Sequence, residues 1–254
     1  MQLRYTRIMD NNDNGKYHKT AVVTGAAKRL GAMMAEHLAE QGYNIVLHCC
    51  HSENDAAETK QRIESLGIDC RILTADFTSE NDVERFIADA KSAYSHYDIL
   101  INSAAVFDRR SIAETDESAL DRMLSVNVKA PFQLIRGLAP IMNGGLVINI
   151  TDAKIEQPDH QYAAYCLSKN ALSYLTVLAA QEFAPSVRVN AIAPAYLLPS
   201  DKLAAFETFR DKIPLKDHID TKHLLATVDY LIDNKLITGQ TIALDGGYYS
   251  RRIT

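Results

Sequence analysis

Residues 22–42 read VVTGAAKRLGAMMAEHLAEQG, and this stretch decides the fold. A short apolar run ends in a turn that carries Gly25 and Gly31, and an amphipathic helical pattern follows the turn. The first glycine permits a tight turn, and the second lets the helix begin close to the strand. The order strand, glycine turn, helix predicts the opening unit of an α/β fold. The alternative is a plain turn between a strand and a helix that simply needs glycine.

The rest of the chain repeats this alternation. Short runs rich in Val and Ile predict seven strands, at 20–25, 43–49, 70–76, 97–104, 145–151, 187–193 and 240–246. Amphipathic stretches between them predict helices at 30–42, 53–67, 79–95, 117–141, 162–183 and 221–234. Strands that are apolar on both faces belong to a parallel sheet covered on both sides. We therefore predict one Rossmann-type domain over 19–254, a doubly wound sheet of seven mainly parallel strands with helices on both faces.

Two segments fall outside this alternation. Residues 1–18 are polar and rich in Asn and Asp, so we expect a disordered N-terminal extension, with the start at Met1 or at Met9. They lack the apolar core of a secretory signal. Residues 194–220 carry three prolines among aromatic and aliphatic residues and contain no predicted strand. That composition is typical of a lid over a site.

Composition narrows the function classes. The formal net charge is −5 and no long basic block is present, which argues against nucleic acid as a partner. No segment is long and apolar enough to predict a membrane span. A disulfide between the adjacent Cys49 and Cys50 would be strained, so we expect free thiols in a reducing cytoplasm. The motif HCCH at 48–51 alternates across an extended strand, so we expect no metal site from those four side chains.

The glycine turn and the second strand together indicate a dinucleotide. Amides at a helix N-terminus suit a pyrophosphate. Sites that select NAD place an acid at the end of the second strand, whereas this strand ends LHCCHSE, and Glu53 comes only after its tip. Lys28 and Arg29 lie in the turn, and Ser52 supplies a hydroxyl. This combination favours a 2′-phosphate and hence NADPH. The alternative is that Lys28 and Arg29 are solvated loop charges.

A second group of polar residues follows the fifth strand. Tyr165 and Lys169 are four apart in a predicted helix, and Asp152 lies thirteen residues before the tyrosine. Residues at this spacing share a helix face. We expect the ammonium to stabilise tyrosinate and lower the pKa of Tyr165, which would make the phenol an acid near neutral pH. Alone, such a pair arises by chance in many helices.

Six motifs in order carry a family resemblance: TGAAKRLG, NSAA, SVNVKAPF, YCLSK, RVNAIAPA and LDGG. Over residues 19–249 the chain resembles the short-chain dehydrogenase/reductase family. The resemblance implies that Tyr165 donates a proton and that Lys169 binds the nicotinamide ribose and tunes the tyrosine. It implies that Asn127 holds a water in a proton relay. It also implies a homotetramer built through the long fourth and fifth crossover helices and the C-terminal strand.

Two departures from the family pattern resemble its pteridine reductase branch. Arg29 replaces the usual third glycine, and Asp152 replaces the usual serine. The resemblance implies that Phe107, in SAAVF, stacks on a pterin. The arginine that this branch often has after the second strand is His51 here.

The chemistry of a pterin agrees with the aspartate. A pterin presents ring nitrogens and an amino group, and a carboxylate can accept from N–H groups and exchange a proton with Tyr165. Two alternatives remain open. Asp152 can be a helix-capping or loop carboxylate, and Phe107 can be ordinary core packing.

These interpretations define three residue sets. The predicted catalytic residues are Asp152, Tyr165, Lys169 and Asn127. The predicted substrate contacts are Arg29, Phe107, Asp152, Tyr165, Tyr196 and Phe206. The predicted cofactor contacts are Gly25, Lys28, Arg29, Leu30, Gly31, His48, His51, Ser52, Asp76, Phe77, Asn102, Ser103, Ala104, Tyr165, Lys169 and Pro194.

The expected activity is NADPH-dependent reduction of a C=N bond, from a 7,8-dihydropterin to a tetrahydropterin. Dihydromonapterin and dihydrobiopterin are candidate substrates, and dihydrofolate is a further one. The first alternative is a carbonyl or 3-oxoacyl thioester reductase of the same family. The remote alternative is an NADP(H)-binding regulatory protein without turnover.

Overall fold

The computed structural model describes residues 18–142, 144–195, 210–211, 213–216 and 220–249. The strands are β1 (Lys19–Val23), β2 (Tyr43–Cys49), β3 (Cys70–Thr74), β4 (Ile99–Asn102), β5 (Gly145–Ile150), β6 (Val187–Pro194) and β7 (Thr241–Leu244). The α-helices in this part of the chain are α1 (Arg29–Glu40), α2 (Glu53–Glu64), α3 (Glu80–Ala93), α4 (Glu117–Leu124), α5 (Ala130–Leu138), α6 (Ala163–Phe183) and α7 (Thr221–Asp233).

The seven strands form one sheet in the order β3-β2-β1-β4-β5-β6-β7. β1 pairs in parallel with both β2 and β4, and the other two registers that are defined, β2 with β3 and β6 with β7, are also parallel. The predicted fold class, a doubly wound Rossmann-type sheet with helices on both faces, is confirmed. The strand order reverses between β1 and β4, and in such sheets ligands bind beyond the carboxyl ends of the strands at that point.

The predicted helix at 117–141 is interrupted. α4 ends at Leu124, a π-helical turn covers Ser125–Lys129, and α5 begins at Ala130. Pro131 lies in the first turn of α5 and has no backbone N–H, so it cannot continue the hydrogen-bond ladder of α4. The wider turn buries Asn127, which has consequences for the site.

The chain forms two compact units. The first comprises the described residues up to Ala104 together with Ala130–Val147 and Phe183–Arg188. Its core includes fully buried side chains from β1, β2 and β4, such as Val22, Ile45 and Leu100. The second comprises Ala105–Lys129, Ile148–Glu182 and the described residues from Val189 onward. Its buried side chains include Leu172 of α6, Ile192 of β6 and Val228 of α7.

Several predictions concern residues outside the described part. Residues 1–17, 196–209, 212 and 217–219 are among these, so the N-terminal extension and most of the predicted lid lie there. Tyr196 and Phe206, two of the predicted substrate contacts, lie there as well. Among the described helices, none has the length and apolar character needed to cross a membrane.

Candidate active site

The glycine turn lies in the first unit and is shaped by its two glycines. Gly25 adopts φ 63°, in the left-handed region that favours glycine. A Cβ on Gly25 would meet the Ala104 Cα at 2.8 Å, and a Cβ on Gly31 would overlap the Gly25 carbonyl oxygen. The turn therefore requires both residues, and it leaves the N-terminus of α1 close to the end of β1.

Arg29 also adopts a left-handed conformation, with φ 57°. Arg29 stands where the family usually has its third glycine. Its backbone therefore keeps a conformation that suits glycine, although the residue carries a long side chain. A non-glycine residue in this region costs on the order of 1 kcal/mol. The side chain is exposed at the first residue of α1. Strained residues of this kind cluster at ligand-binding sites.

Thr24 connects the ends of β1 and β4. Its hydroxyl accepts hydrogen bonds from the backbone N–H groups of Ser103 and Ala104, both at 3.0 Å, and donates to the carbonyl of Ile101 at 3.4 Å. A buried side chain that the sequence interpretation missed therefore ties these small residues to the end of β1. Its only sequence signal is a hydroxyl residue directly before Gly25.

His48 and Phe77, two of the predicted cofactor contacts, are both buried. His48 is 3% exposed, and its ring stacks on Phe77 with centroids 4.0 Å apart. Nδ1 accepts from the Gly25 N–H at 3.0 Å, and Nε2 donates to the Ala75 carbonyl at 3.0 Å. Burial lowers the pKa of His48 to about 4, so the ring is neutral at pH 7. The structure therefore gives both side chains a packing role, in which His48 supports the glycine turn.

The cationic and polar groups predicted to bind a 2′-phosphate remain at the surface. The Lys28 ammonium forms an ion pair with Asp55 of α2 at 3.2 Å, and both side chains are about half exposed. Such surface pairs contribute little, so Lys28 is readily available to a competing anion. His51 is exposed, and Ser52 is the N-cap of α2, where its side chain makes no capping hydrogen bond.

The other predicted cofactor contacts lie at strand or helix ends. Leu30 is in the first turn of α1, and Asn102 is buried at the end of β4. Asp76 follows β3, and its Oδ1 accepts from the backbone N–H and the hydroxyl of Thr78 at 2.9 and 2.8 Å. Pro194 is the last residue of β6, in the second unit.

The second unit brings Asp152 and Tyr165 together. The Tyr165 hydroxyl donates to Oδ2 of Asp152 at 2.7 Å, and Oδ1 of the same carboxylate accepts from the Lys154 N–H at 2.7 Å. The second bond caps a short 3-10 helix at Ala153–Ile155. Asp152 is therefore a capping residue and the partner of the phenol at once, and the two interpretations of this residue are not exclusive.

The expected lowering of the Tyr165 pKa by Lys169 is wrong for this geometry. Burial raises the pKa of Tyr165, and the adjacent Asp152 carboxylate raises it further because it would repel a tyrosinate and stabilises the phenol. Tyr165 is 7% exposed and stays protonated across the neutral range. The phenol therefore keeps its proton at neutral pH and, in this arrangement, is a weaker acid than an ordinary tyrosine.

Lys169 lies beneath this pair. Its Nζ donates to the Ile150 carbonyl at 2.8 Å and lies 5.8 Å from the centre of the Tyr165 ring. Burial lowers the pKa of Lys169 to about 8, and the carboxylate of Asp152 opposes that shift. Lys169 therefore remains mostly charged at pH 7, and its charge offsets that of the nearby Asp152 carboxylate.

Asn127 holds the segment after β4. Its Oδ1 accepts from the Val106 N–H at 2.9 Å, and its Nδ2 donates to the Val106 carbonyl at 3.0 Å. Nδ2 also lies 2.9 Å from the Ser168 hydroxyl, which donates to the Tyr165 carbonyl at 2.8 Å. In this structure Asn127 links the loop that carries Phe107 to the helix that carries Tyr165.

Phe107 stands beside the Tyr165 ring with a large free surface. The two centroids are 4.7 Å apart in an edge-to-face arrangement, and Phe107 stacks on Tyr162 at 5.0 Å. Phe107 is 60% exposed, so ordinary core packing does not describe it. Tyr162 was missed as a site residue because a tyrosine three residues before Tyr165 gives no distinctive signal.

A cavity of about 250 Å³ opens next to Phe107. Three of the charged residues that line the cavity pair with one another: Arg110 forms ion pairs with Asp108 at 2.9 Å and with Asp116 at 3.3 Å. Arg122 and Met123 of α4 complete one wall. The cavity adjoins the exposed ring of Phe107.

A family model of the short-chain dehydrogenase type, described as enoyl-(acyl carrier protein) reductase, matches residues 25–249. The chain belongs to the short-chain dehydrogenase/reductase family. Membership in this family makes the protein an oxidoreductase. The predicted family resemblance is thereby confirmed.

The curated relatives within this family differ in activity. The 3-oxoacyl-(acyl-carrier-protein) reductase FabG of Staphylococcus aureus is 30% identical over 246 residues, which cover 92% of this chain and 99% of that protein. The dihydromonapterin reductase of Klebsiella pneumoniae is 28% identical over 233 residues, which cover 89% of this chain and 95% of that protein.

A solved structure adds a second pteridine-related neighbour. FolM alternative dihydrofolate reductase 1 from Brucella canis, in complex with NADP, is 33% identical with a TM-score of 0.86. The match covers 93% of this chain and 96% of that one. The similarity to dihydromonapterin reductase and FolM therefore supports the predicted pteridine reductase branch. The comparable identity to FabG keeps 3-oxoacyl thioesters as a second candidate substrate class.

Proposed function

We propose that this protein is an NADPH-dependent reductase that converts the C=N bond of a 7,8-dihydropterin to the tetrahydropterin. The observation that carries the proposal is the hydrogen bond between Asp152 and Tyr165, with the exposed ring of Phe107 beside the tyrosine. A carboxylate at this point suits a substrate rich in N–H donors better than it suits a ketone. The similarity to dihydromonapterin reductase and to FolM supports the same substrate class.

The dinucleotide turn fits NADPH. Gly25 and Gly31 allow close backbone packing in the turn, where any Cβ would clash, and the N-terminus of α1 begins there. Arg29 and Lys28 are exposed cations in the turn, and Ser52 is the N-cap of α2. These cations and this hydroxyl suit a 2′-phosphate. The NADP complex of the Brucella canis neighbour supports this cofactor. NADPH, when bound, supplies the hydride that reduces the C=N bond.

The protein's own residues then manage orientation and the proton. Phe107 stacks on the flat heterocycle and fixes its plane. Tyr165 delivers its phenolic proton to the ring nitrogen while the neighbouring ring carbon takes the hydride. Asp152 accepts from substrate N–H groups and returns a proton from solvent to the phenol. Lys169 holds the nicotinamide ribose and offsets the negative charge that develops on Tyr165.

A second candidate function is the reduction of a 3-oxoacyl thioester. The 30% identity to FabG over nearly the whole length favours it. In that chemistry Tyr165 and Lys169 would serve a ketone oxygen, and Asp152 would act only as the cap of its short helix.

A single assay separates the two candidates. Purified protein is mixed with NADPH and either dihydrobiopterin, dihydromonapterin or acetoacetyl thioester, and the loss of NADPH absorbance is followed. We expect turnover of a dihydropterin. Turnover of the thioester without any pterin would reject the proposal in favour of the second candidate. Binding of NADPH without turnover of either substrate would indicate a regulatory nucleotide-binding protein instead.

We further propose that the protein works in the cytoplasm as a homotetramer. Four thiols that are all free agree with a reducing compartment. The long helix α6 leaves Leu167, Tyr174 and Leu178 exposed, which gives it apolar surface for a second copy of the chain.

A further inference from the structure

Three metal-ligating side chains converge beyond the ends of β2 and β3. Cys50 and His51 follow β2, and Asp76 follows β3. The Sγ atom, an imidazole nitrogen and a carboxylate oxygen of these residues all lie within 4.8 Å of one another. The parallel register explains the convergence, because Cys49 is paired with Thr74 and the chains leave the sheet side by side.

This arrangement differs from the metal site that the motif HCCH would suggest. His48 and Cys49 are buried in β2, and the His48 ring is committed to Gly25 and Ala75. The hydrogen bonds of His48 therefore direct its ring toward Gly25 and Ala75 and not toward Cys50 and His51. The third ligand comes instead from a separate strand 25 residues further along the chain, where no local motif can reveal it.

The donor set suits a borderline-soft dication. Thiolate, imidazole and carboxylate are the three ligand types that Zn²⁺ takes in proteins, and three protein ligands leave a fourth position for water. Tetrahedral zinc places its donor atoms roughly 3.5 Å apart, so the three groups must close by about 1 Å. His51 is exposed and makes no hydrogen bond or ion pair to any residue that the structure describes, so its ring is free to turn.

The surroundings also favour a cation. The hydrogen bonds from Thr78 hold the Asp76 carboxylate in place, as outer-shell partners do at metal sites. Asp82 lies next to it and accepts from the Asp76 backbone N–H at 3.1 Å, although Arg85 offsets its charge at 3.0 Å.

We propose that Cys50, His51 and Asp76 form a binding site for Zn²⁺ or a similar dication, and that occupancy of this site excludes NADPH. On binding, the Cys50 thiol releases its proton to solvent and its sulfur bonds to the metal. The exclusion rests on the proposed function, because it needs NADPH as the cofactor and His51 and Asp76 among its predicted contacts. The metal site itself does not depend on that function.

Cobalt titration of the full chain without dinucleotide tests the site. We expect one equivalent of Co²⁺ to produce a thiolate-to-cobalt charge-transfer band, which Zn²⁺ then removes. Cys50→Ala should abolish the band, and His51→Gln should weaken binding by more than about 10-fold. Cys49→Ala and His160→Gln are the matched controls and should bind like the wild type. A band of unchanged intensity in Cys50→Ala, or no band in the wild type, would overturn the site.

Competition tests the exclusion separately. We expect NADPH to release bound cobalt. We also expect Zn²⁺ to inhibit the wild type competitively against NADPH, and we expect this inhibition to disappear in Cys50→Ala. NADPH binding is measured independently by its fluorescence. If NADPH binds and the cobalt band persists, the exclusion is wrong. If NADPH does not bind at all, the proposed cofactor is wrong while the cobalt result still decides the metal site.

Discussion

At the scale of single residues, Asp152 joins two functions in one carboxylate. One oxygen caps the short helix at Ala153–Ile155, and the other accepts the Tyr165 hydroxyl. The spacing in the sequence and the family resemblance together singled out Asp152, Tyr165 and Lys169. The direction of the Tyr165 pKa was not predictable, because it depends on burial and on a 2.7 Å contact that spacing alone does not reveal.

His48 makes a residue-scale prediction about acid stability. Because burial lowers its pKa in the folded state to about 4 from 6.5, the unfolded chain takes up the proton first as the pH falls. The contribution of neutral His48 to the free energy of unfolding is complete above pH 6.5. It is lost progressively toward pH 4, by about 3 kcal/mol in total. Urea unfolding between pH 7 and pH 4 measures this loss.

The matched variant is His48→Asn, whose side-chain oxygen can still accept from the Gly25 N–H. We expect a lower free energy of unfolding at pH 7 but a smaller decline toward pH 4. An equal decline in the variant would show that other groups, and not His48, cause the acid sensitivity.

At the scale of elements, the π-helical turn at Ser125–Lys129 controls the loop after β4. It presents Asn127 to both backbone groups of Val106, and Phe107 is the next residue. The sequence predicted one continuous helix here, since amphipathic periodicity does not distinguish a single wide turn from a regular one. The structure thus adds a positioning role to the water-binding role that the family resemblance implies for Asn127.

We predict that Asn127→Ala loosens Phe107. The change leaves the Val106 N–H without its side-chain partner, and we expect it to lower the free energy of unfolding by about 2 kcal/mol. It should also raise KM for the dihydropterin several-fold, because the stacking ring is no longer held. Steady-state kinetics and urea unfolding measure the two effects. Asn170→Ala, on the exposed side of α6, is the control and should change neither. A fall in kcat with an unchanged KM would contradict the positioning role.

At the scale of the whole molecule, the alternation of apolar runs and helical patterns was sufficient to predict the seven-stranded order of elements. Parallel strands buried on both faces leave a strong signal in the sequence. Contacts between segments that are distant in the chain leave little signal in the sequence. Thr24 with Ser103 and Cys50 with Asp76 arise only from strand register, and the sequence indicated neither pair.

The exposed apolar face of α6 makes a molecular-scale prediction. Leu167, Tyr174 and Leu178 lie on one side of the helix and are 61%, 67% and 46% exposed. We expect the double variant Tyr174→Glu, Leu178→Glu to dissociate the proposed tetramer, because burying the introduced charges would be too costly. Light scattering coupled to gel filtration measures the mass. Leu66→Glu, at another exposed leucine, should leave the mass unchanged. A wild-type monomer would contradict the proposed assembly.

The substitution Asp152→Ser tests the central claim most directly, with Glu156→Ser as the control at an exposed carboxylate in the same segment. Values of kcat/KM are measured for a dihydropterin and for an acetoacetyl thioester, together with NADPH binding. We predict that Asp152→Ser lowers kcat/KM for the dihydropterin by about 100-fold or more, because it removes the group that exchanges a proton with Tyr165. NADPH binding and any thioester activity should persist. Full dihydropterin activity in Asp152→Ser would contradict the role assigned to this carboxylate.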